Sequence, residues 1–160
     1  MKLARTLCAL LLASPVGLGA RARNEATSTL APAQAVARHI GLTQTHVYEF
    51  AADAGQFIRF DVTQTNVDPV LTIADADGRQ LREMYFERLA GRTAISFVAP
   101  ARASFRVRVK PSGASKTAGS YRLQMSTPRT ATEADRRRVE AEAALNAVGF
   151  MAREVGRPGE

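Results

Sequence analysis

The sequence predicts an all-β fold, an antiparallel β-sandwich or jelly roll of about seven to eight strands, with a single α-helix after it. Three observations predict this. From His46 to Ser126 apolar and polar residues alternate at period two, the mark of strands with one dry and one wet face. Turn residues punctuate that stretch, as in Asp53-Ala54-Gly55, Asp75-Ala76-Asp77-Gly78 and Pro111-Ser112-Gly113. No helix intervenes, and parallel crossovers need about a dozen residues each, so the short connections imply antiparallel pairing.

The elements follow in order. Lys2 and Arg5 precede an apolar run from Leu7 to Leu12, and Pro15, Gly17 and Gly19 then lead to Ala20-Arg21-Ala22. That order is a secretory signal peptide, with cleavage expected after Ala22. The apolar stretch from Leu7 to Ala20 is shorter than the roughly 20 residues that cross a bilayer as a helix, which weighs against the competing reading of an uncleaved anchor or surface helix. Cys8 lies inside that stretch behind Arg5-Thr6-Leu7, a poor context for acylation. The expected mature chain is therefore exported, periplasmic or extracellular. It has no transmembrane segment and no cysteine, which removes disulfides, thiol nucleophiles and cysteine metal sites.

Residues 23–37, polar and without periodicity, read as a flexible lead-in. Residues 38–126 form the sandwich. Tyr48 and Phe50 alternate with Val47 and Glu49; Ile58, Phe60 and Val62 alternate with Arg59 and Asp61. Val70 to Ala74 and Ala94 to Ala99 are more uniformly apolar and read as central strands, whereas Gly78 to Phe86 is the least defined segment. Phe105, Val107 and Val109 alternate with Arg106, Arg108 and Lys110, and Tyr121, Leu123 and Met125 with Arg122, Gln124 and Ser126. Residues 127–160 hold the helix and tail. Thr130-Ala131-Thr132-Glu133 has capping-box spacing, with Thr132 to Asp135 a shifted alternative. Val139, Ala143, Ala147, Phe150 and Met151 then recur at helical steps, a stripe that could fold back on the sandwich or dock a partner helix.

Composition agrees with one ordinary globular domain: 160 residues, 46% hydrophobic and 23% charged, with seven Phe, three Tyr and no Trp. The formal charge of +7 falls to +4 once Lys2, Arg5 and Arg21 leave with the signal.

Several of these residues carry a family pattern. Tyr48-x-Phe50, Ala54-Gly55-Gln56, Asp68-Pro69-x-Leu71, Asp75-x-x-Gly78, Ala99-Pro100, Phe105-x-Val107-x-Val109 and Gly119-x-Tyr121-x-Leu123 together resemble the bacterial pre-peptidase C-terminal domain over residues 39–126. The resemblance implies an antiparallel sandwich attached to exported proteins, removed on maturation or used for attachment. Ala103-Ser104-Phe105 departs from the family's usual Gly-x-Tyr, with Phe still filling the core position. Arg129-x-Ala131-Thr132-x-x-Asp135-x-x-Arg138 with the Ala-rich helix also resembles the junction that precedes tetratricopeptide repeats and a caspase-like (CHAT) domain in some exported proteins.

The chemistry-bearing residues point away from catalysis. His39 and His46 would need a carboxylate such as Glu49 or Asp53 to hold a metal, and nothing in their spacing demands it. The calcium-loop pattern around Asp75-x-Asp77-Gly78 fails at Ile73 and Met84, leaving a tight turn. No Gly-x-Ser-x-Gly elbow, ordered Ser, His and Asp set or phosphate loop is present, and Glu83 with Glu87 is a commonplace spacing. No cofactor or metal site is therefore expected, and no enzymatic role. The run Arg136 to Arg138 sits among Glu133, Asp135, Glu140 and Glu142, a mixed-charge helix surface. One candidate site remains, an anionic-ligand surface of Arg59, Arg106, Arg108, Lys110 and Arg122, on strands that could adjoin. Its bland counterpart is a solvated face whose charges discourage edge-to-edge aggregation. Without aromatic interleaving, and after export, that surface suits a cell-envelope polymer, a lipid head group or a protein partner and not nucleic acid. Two functions follow: an exported accessory module that binds through its sandwich, or the structural front piece of a peptidase-like repeat protein that docks through its C-terminal helix.

Overall fold

Alternation places every second side chain of each strand inward, and the computed structural model, which describes residues 27–85 and 92–155 apart from the side chains of Arg92 and 149–155, shows where those strands go. The strands are β1 (Thr27–Thr29), β2 (Ala35–Ile40), β3 (His46–Ala52), β4 (Gln56–Thr65), β5 (Pro69–Ala74), β6 (Gln80–Tyr85), β7 (Arg92–Val98), β8 (Ala103–Pro111), β9 (Gly119–Met125) and β10 (Arg129–Thr130). The helix α1 (Glu133–Val155) follows. The first sheet runs β1-β3-β8-β5-β6. In the second, β4 pairs with β7 on one side and with β9 and the short β10 on the other, and β2 lies beyond β9. Pairing is antiparallel except for β1 beside β3, where the crossover is supplied by β2 in the opposite sheet instead of a helix.

Three expectations change. The segment read as a flexible lead-in contributes β1 and the start of β2, because Ala35 and Val36 pair with Gln124 and Leu123 of β9. The uncertain stretch after Gly78 is β6, a partner of β5; Phe86 and Glu87 lie outside the described residues. Of the two apolar strands, β5 is interior and buried at every position, whereas β7 is an edge: Ile95 and Phe97 face the core, and the outward Ser96 is covered by the helix.

The core is where the two inner faces meet. Phe50 and Phe105 from the first sheet interlock with Phe60 and Phe97 from the second, at ring-centroid separations of 5.0 to 6.2 Å. Such offset and edge-on pairs add to what burial alone contributes. Gly119 is required by close approach: a Cβ there would stand 2.3 Å from the Thr65 carbonyl oxygen. At the turns Gly55 and Gly78 have φ of 75° and 85°, which an L side chain rarely adopts.

The helix begins on the shifted capping box. Asp135 donates its backbone N–H to Thr132 Oγ1 (3.2 Å) and its carboxylate accepts the Thr132 N–H at 2.9 Å, so the amide of each residue is satisfied by the side chain of the other. Arg129 grips the same carboxylate through both terminal nitrogens, at 2.6 and 2.7 Å, while its guanidinium lies 4.7 Å from the Phe57 ring centroid. The Arg129-x-x-Thr132-x-x-Asp135 spacing is thus a clamp that joins sheet to helix.

Candidate functional site

Strand β8 builds the candidate site. Phe105, Val107 and Val109 point into the core, so Arg106, Arg108 and Lys110 occupy consecutive outward positions on an interior strand of the first sheet. Register sets their neighbours: Arg106 lies between Glu49 and Ala74, Arg108 between Val47 and Thr72, and Lys110 beside Val70. Val47, Val70, Thr72 and Ala74 share this outer face yet are buried, at 4%, 1%, 8% and 0% exposure. Long cationic side chains lying along a sheet produce that pattern, stems on the apolar floor and charged heads toward water. The Arg106 guanidinium donates to the Ala76 carbonyl (3.1 Å), and Arg108 extends toward the same turn, near Gly78. Arg108 Nε is buried without a hydrogen-bond acceptor.

The other two cations of the expected surface are elsewhere. Arg59 and Arg122 stand on β4 and β9, on the outer face of the second sheet, so the five fall into two groups back to back. Alternation showed which residues point outward, whereas the pairing decides which sheet they leave from. Arg59 is bonded to Asp61 (3.3 Å), and Arg122 lines a shallow cleft of about 200 Å³ with Asp61, Thr63 and Gln124. Asp61 offsets one of these two cations, which leaves this face with less free positive charge than the β8 row.

The helix also differs from the expected stripe. Ala143 and Ala147 are exposed, Val139 is half-buried, and the side chains of Phe150 and Met151 lie outside the described residues. The face toward the sandwich is Asp135, Val139, Glu142 and Asn146, mostly polar, because α1 runs along the β6 and β7 edges and meets unpaired strand amides. Glu142 accepts the Ser96 N–H (2.7 Å) and hydroxyl (2.8 Å), and Asn146 Oδ1 accepts the Tyr85 N–H (3.1 Å). Arg82 of β6 lies 3.7 Å from Glu142. Burial pulls the Arg82 guanidinium below the usual arginine range and Glu142 offsets part of that. Asp135, Val139, Glu142 and Asn146 are spaced four, three and four apart, a helical face hidden from a search for apolar residues alone.

At the β3 start, Tyr121 Oη lies 2.7 Å from His46 Nδ1 and 2.6 Å from Tyr48 Oη. Burial, then nearby Arg38, holds His46 below its usual value, and burial with the Tyr48 bond pushes Tyr121 above the phenol range. A neutral His46 accepting from Tyr121, which accepts from Tyr48, satisfies all three. His39 is on β2 opposite Ser120, in the other sheet. The Asp75 turn is closed by its own side chain, whose Oδ1 accepts the Arg79 N–H at 2.8 Å. A cleft of about 540 Å³ beside the β3–β4 turn is lined by Asp53, Gln56, Arg102 and Ser104 among others, with no imidazole to activate the serine.

No family model and no curated protein matches the sequence. Among solved structures the fold is similar to the pre-peptidase C-terminal domain of a collagenase from Bacillus anthracis, with a TM-score of 0.54 at 15% identity over 65% of this chain and 98% of that one. A periplasmic inhibitor of g-type lysozyme from Aeromonas hydrophila (TM-score 0.43, 14% identity, 62% and 97% covered) is more distant. So is a surface-associated copper-binding protein of Methylomicrobium album (TM-score 0.47, 10% identity, 64% and 98% covered). The chain is thus a two-sheet sandwich of the pre-peptidase domain shape, and no helix among the described residues is long and apolar enough to cross a membrane.

Proposed function

We propose that this protein is an exported, non-catalytic accessory module that binds an anionic partner of the cell envelope through the outer face of its first sheet. The observation that carries the reading is the register of β8, which sets Arg106, Arg108 and Lys110 in one line on an interior strand, with no ion pair on Arg108 or Lys110 among the described residues. The basic-apolar-Gly/Pro order of the first 22 residues supports export, and the likeness in shape to a pre-peptidase domain supports an accessory role. The test is binding of the mature chain to an envelope fraction. Binding is expected to saturate, to weaken with salt and to fall on reversing Arg106 and Arg108; salt-insensitive or absent binding would count against it.

A second reading, a structural front piece that docks through α1, is favoured by Leu145 and Val148. These are 73% and 60% exposed on the helix face away from the sandwich, next to exposed Ala144. In a pull-down, charge placed by Leu145→Glu with Val148→Glu is expected to remove partners that an intact helix retains, and an identical partner set would discard this reading.

A further inference from the structure

We infer that the ligand of the β8 face is a linear polyanion lying along the strand, and not a broad anionic surface; the inference rests on the anionic-partner reading above. Alternate residues of a strand are about 7 Å apart, so Arg106, Arg108 and Lys110 form a row about 14 Å long and one strand wide. Both flanks carry acids on the same outer face. Glu49 of β3 stands directly opposite Arg106, and Glu83 of β6 is opposite Thr72, which is itself opposite Arg108. With strands about 4.8 Å apart, Glu83 lies two strands, or about 10 Å, from the cationic row.

A flat membrane surface pressed on this sheet meets the two acids together with the three cations, and most of the attraction cancels. A single chain with one oxyanion per repeat follows β8 and places its charges where the cations are. Arg108 sits at the middle of the row; its Nε is buried against the sheet, so the terminal guanidinium nitrogens are what it offers to a carboxylate or phosphate group. Lys110 extends the row as an exposed point charge. Arg106, tied to the Ala76 carbonyl, marks the end nearest the turn.

The full mature chain is titrated with galacturonate oligomers of two, four and eight residues, with inorganic phosphate, and with vesicles containing anionic lipid. Affinity is expected to rise at least about tenfold from the dimer to the octamer, with a clearly negative slope against salt. Arg108→Glu with Lys110→Glu is expected to lose at least about tenfold on the octamer, while Arg108→Lys, which keeps the charge, loses less; circular dichroism checks that each variant is folded. Glu83→Gln is the discriminating change, expected to raise vesicle binding and leave octamer binding within about twofold. Vesicle binding as strong as octamer binding, without length dependence, overturns the linear ligand and leaves the anionic-partner reading standing. Octamer binding that is indifferent to Arg108 and Lys110, or absent with every probe, overturns both.

Discussion

Replacing Glu142 by alanine isolates what holds the helix to the sandwich. The carboxylate accepts two hydrogen bonds from Ser96, which is fully buried, and it is the anion beside the largely buried Arg82 guanidinium, whose Nε and Nη2 have no hydrogen bond at all. Alanine leaves two Ser96 donors without an acceptor, at about 1–3 kcal/mol for each buried group left unmet. Breaking a buried ion pair on one side costs about 3–5 kcal/mol because the survivor stays charged and desolvated. The costs overlap, and water can enter if the helix lifts, so about 3–5 kcal/mol in all is expected. Thermal unfolding checks the total, and hydrogen exchange at the Ser96 and Tyr85 amides shows whether α1 detaches before the sandwich melts. The paired change Arg82→Met with Glu142→Leu is expected to recover only the ion-pair share of the loss, since an apolar pair needs no compensation while the two Ser96 donors stay without an acceptor. A loss under about 1 kcal/mol with unchanged exchange at both amides would refute the view that these polar contacts fasten the helix.

Three further outcomes follow from the same geometry. Gly119→Ala drives a methyl group into the Thr65 carbonyl, the Asn66 backbone and the Val67 Cβ, and a urea titration is expected to show a loss of about 1–3 kcal/mol; an unchanged midpoint would show that the β4–β5 connection yields freely. The Arg129 bond, with Thr132 second, holds the Asp135 carboxyl well below the usual carboxylate range, so its stabilisation is complete above the unfolded Asp value and is lost as pH falls through the folded one. Asp135→Asn should flatten the acid limb of helix content followed at 222 nm, and an identical acid limb would disprove the clamp. His46 is held below its usual value by burial and Arg38, so the neutral ring is the folded form; stability is full above about pH 6.5 and declines as pH falls toward the folded value. His46→Gln should remove that slope, and an NMR titration of His46 at or above the ordinary histidine value would contradict the assignment.

Much of the architecture is legible locally. Phe105-x-Val107-x-Val109 and Tyr121-x-Leu123-x-Met125 announce strands with one buried face, and all six are buried as that alternation requires. Thr132 and Asp135 announce the helix start, and the Asp75-x-x-Gly78 turn announces itself by residue type. These are matters of neighbours within a few positions, where propensity and side-chain-to-backbone bonds decide. Strand β1 and the start of β2 were hidden for the opposite reason: Thr27–Thr29 is polar and short, and only its pairing with β3 makes it a strand.

The candidate site shows the same division. Period two alone places Arg59, Arg106, Arg108, Lys110 and Arg122 on outward positions, but it is blind to which strand lies beside which. Long-range pairing sends β8 to one sheet and β4 and β9 to the other, so three cations form a row and two flank Asp61 on the far side. Likewise the helical period of α1 was readable, whereas the face it presents was not. Apolar burial would have turned Ala143 and Ala147 inward, and the unpaired amides of two strand edges turned Glu142 and Asn146 inward instead, since a buried N–H without an acceptor costs more than an exposed alanine.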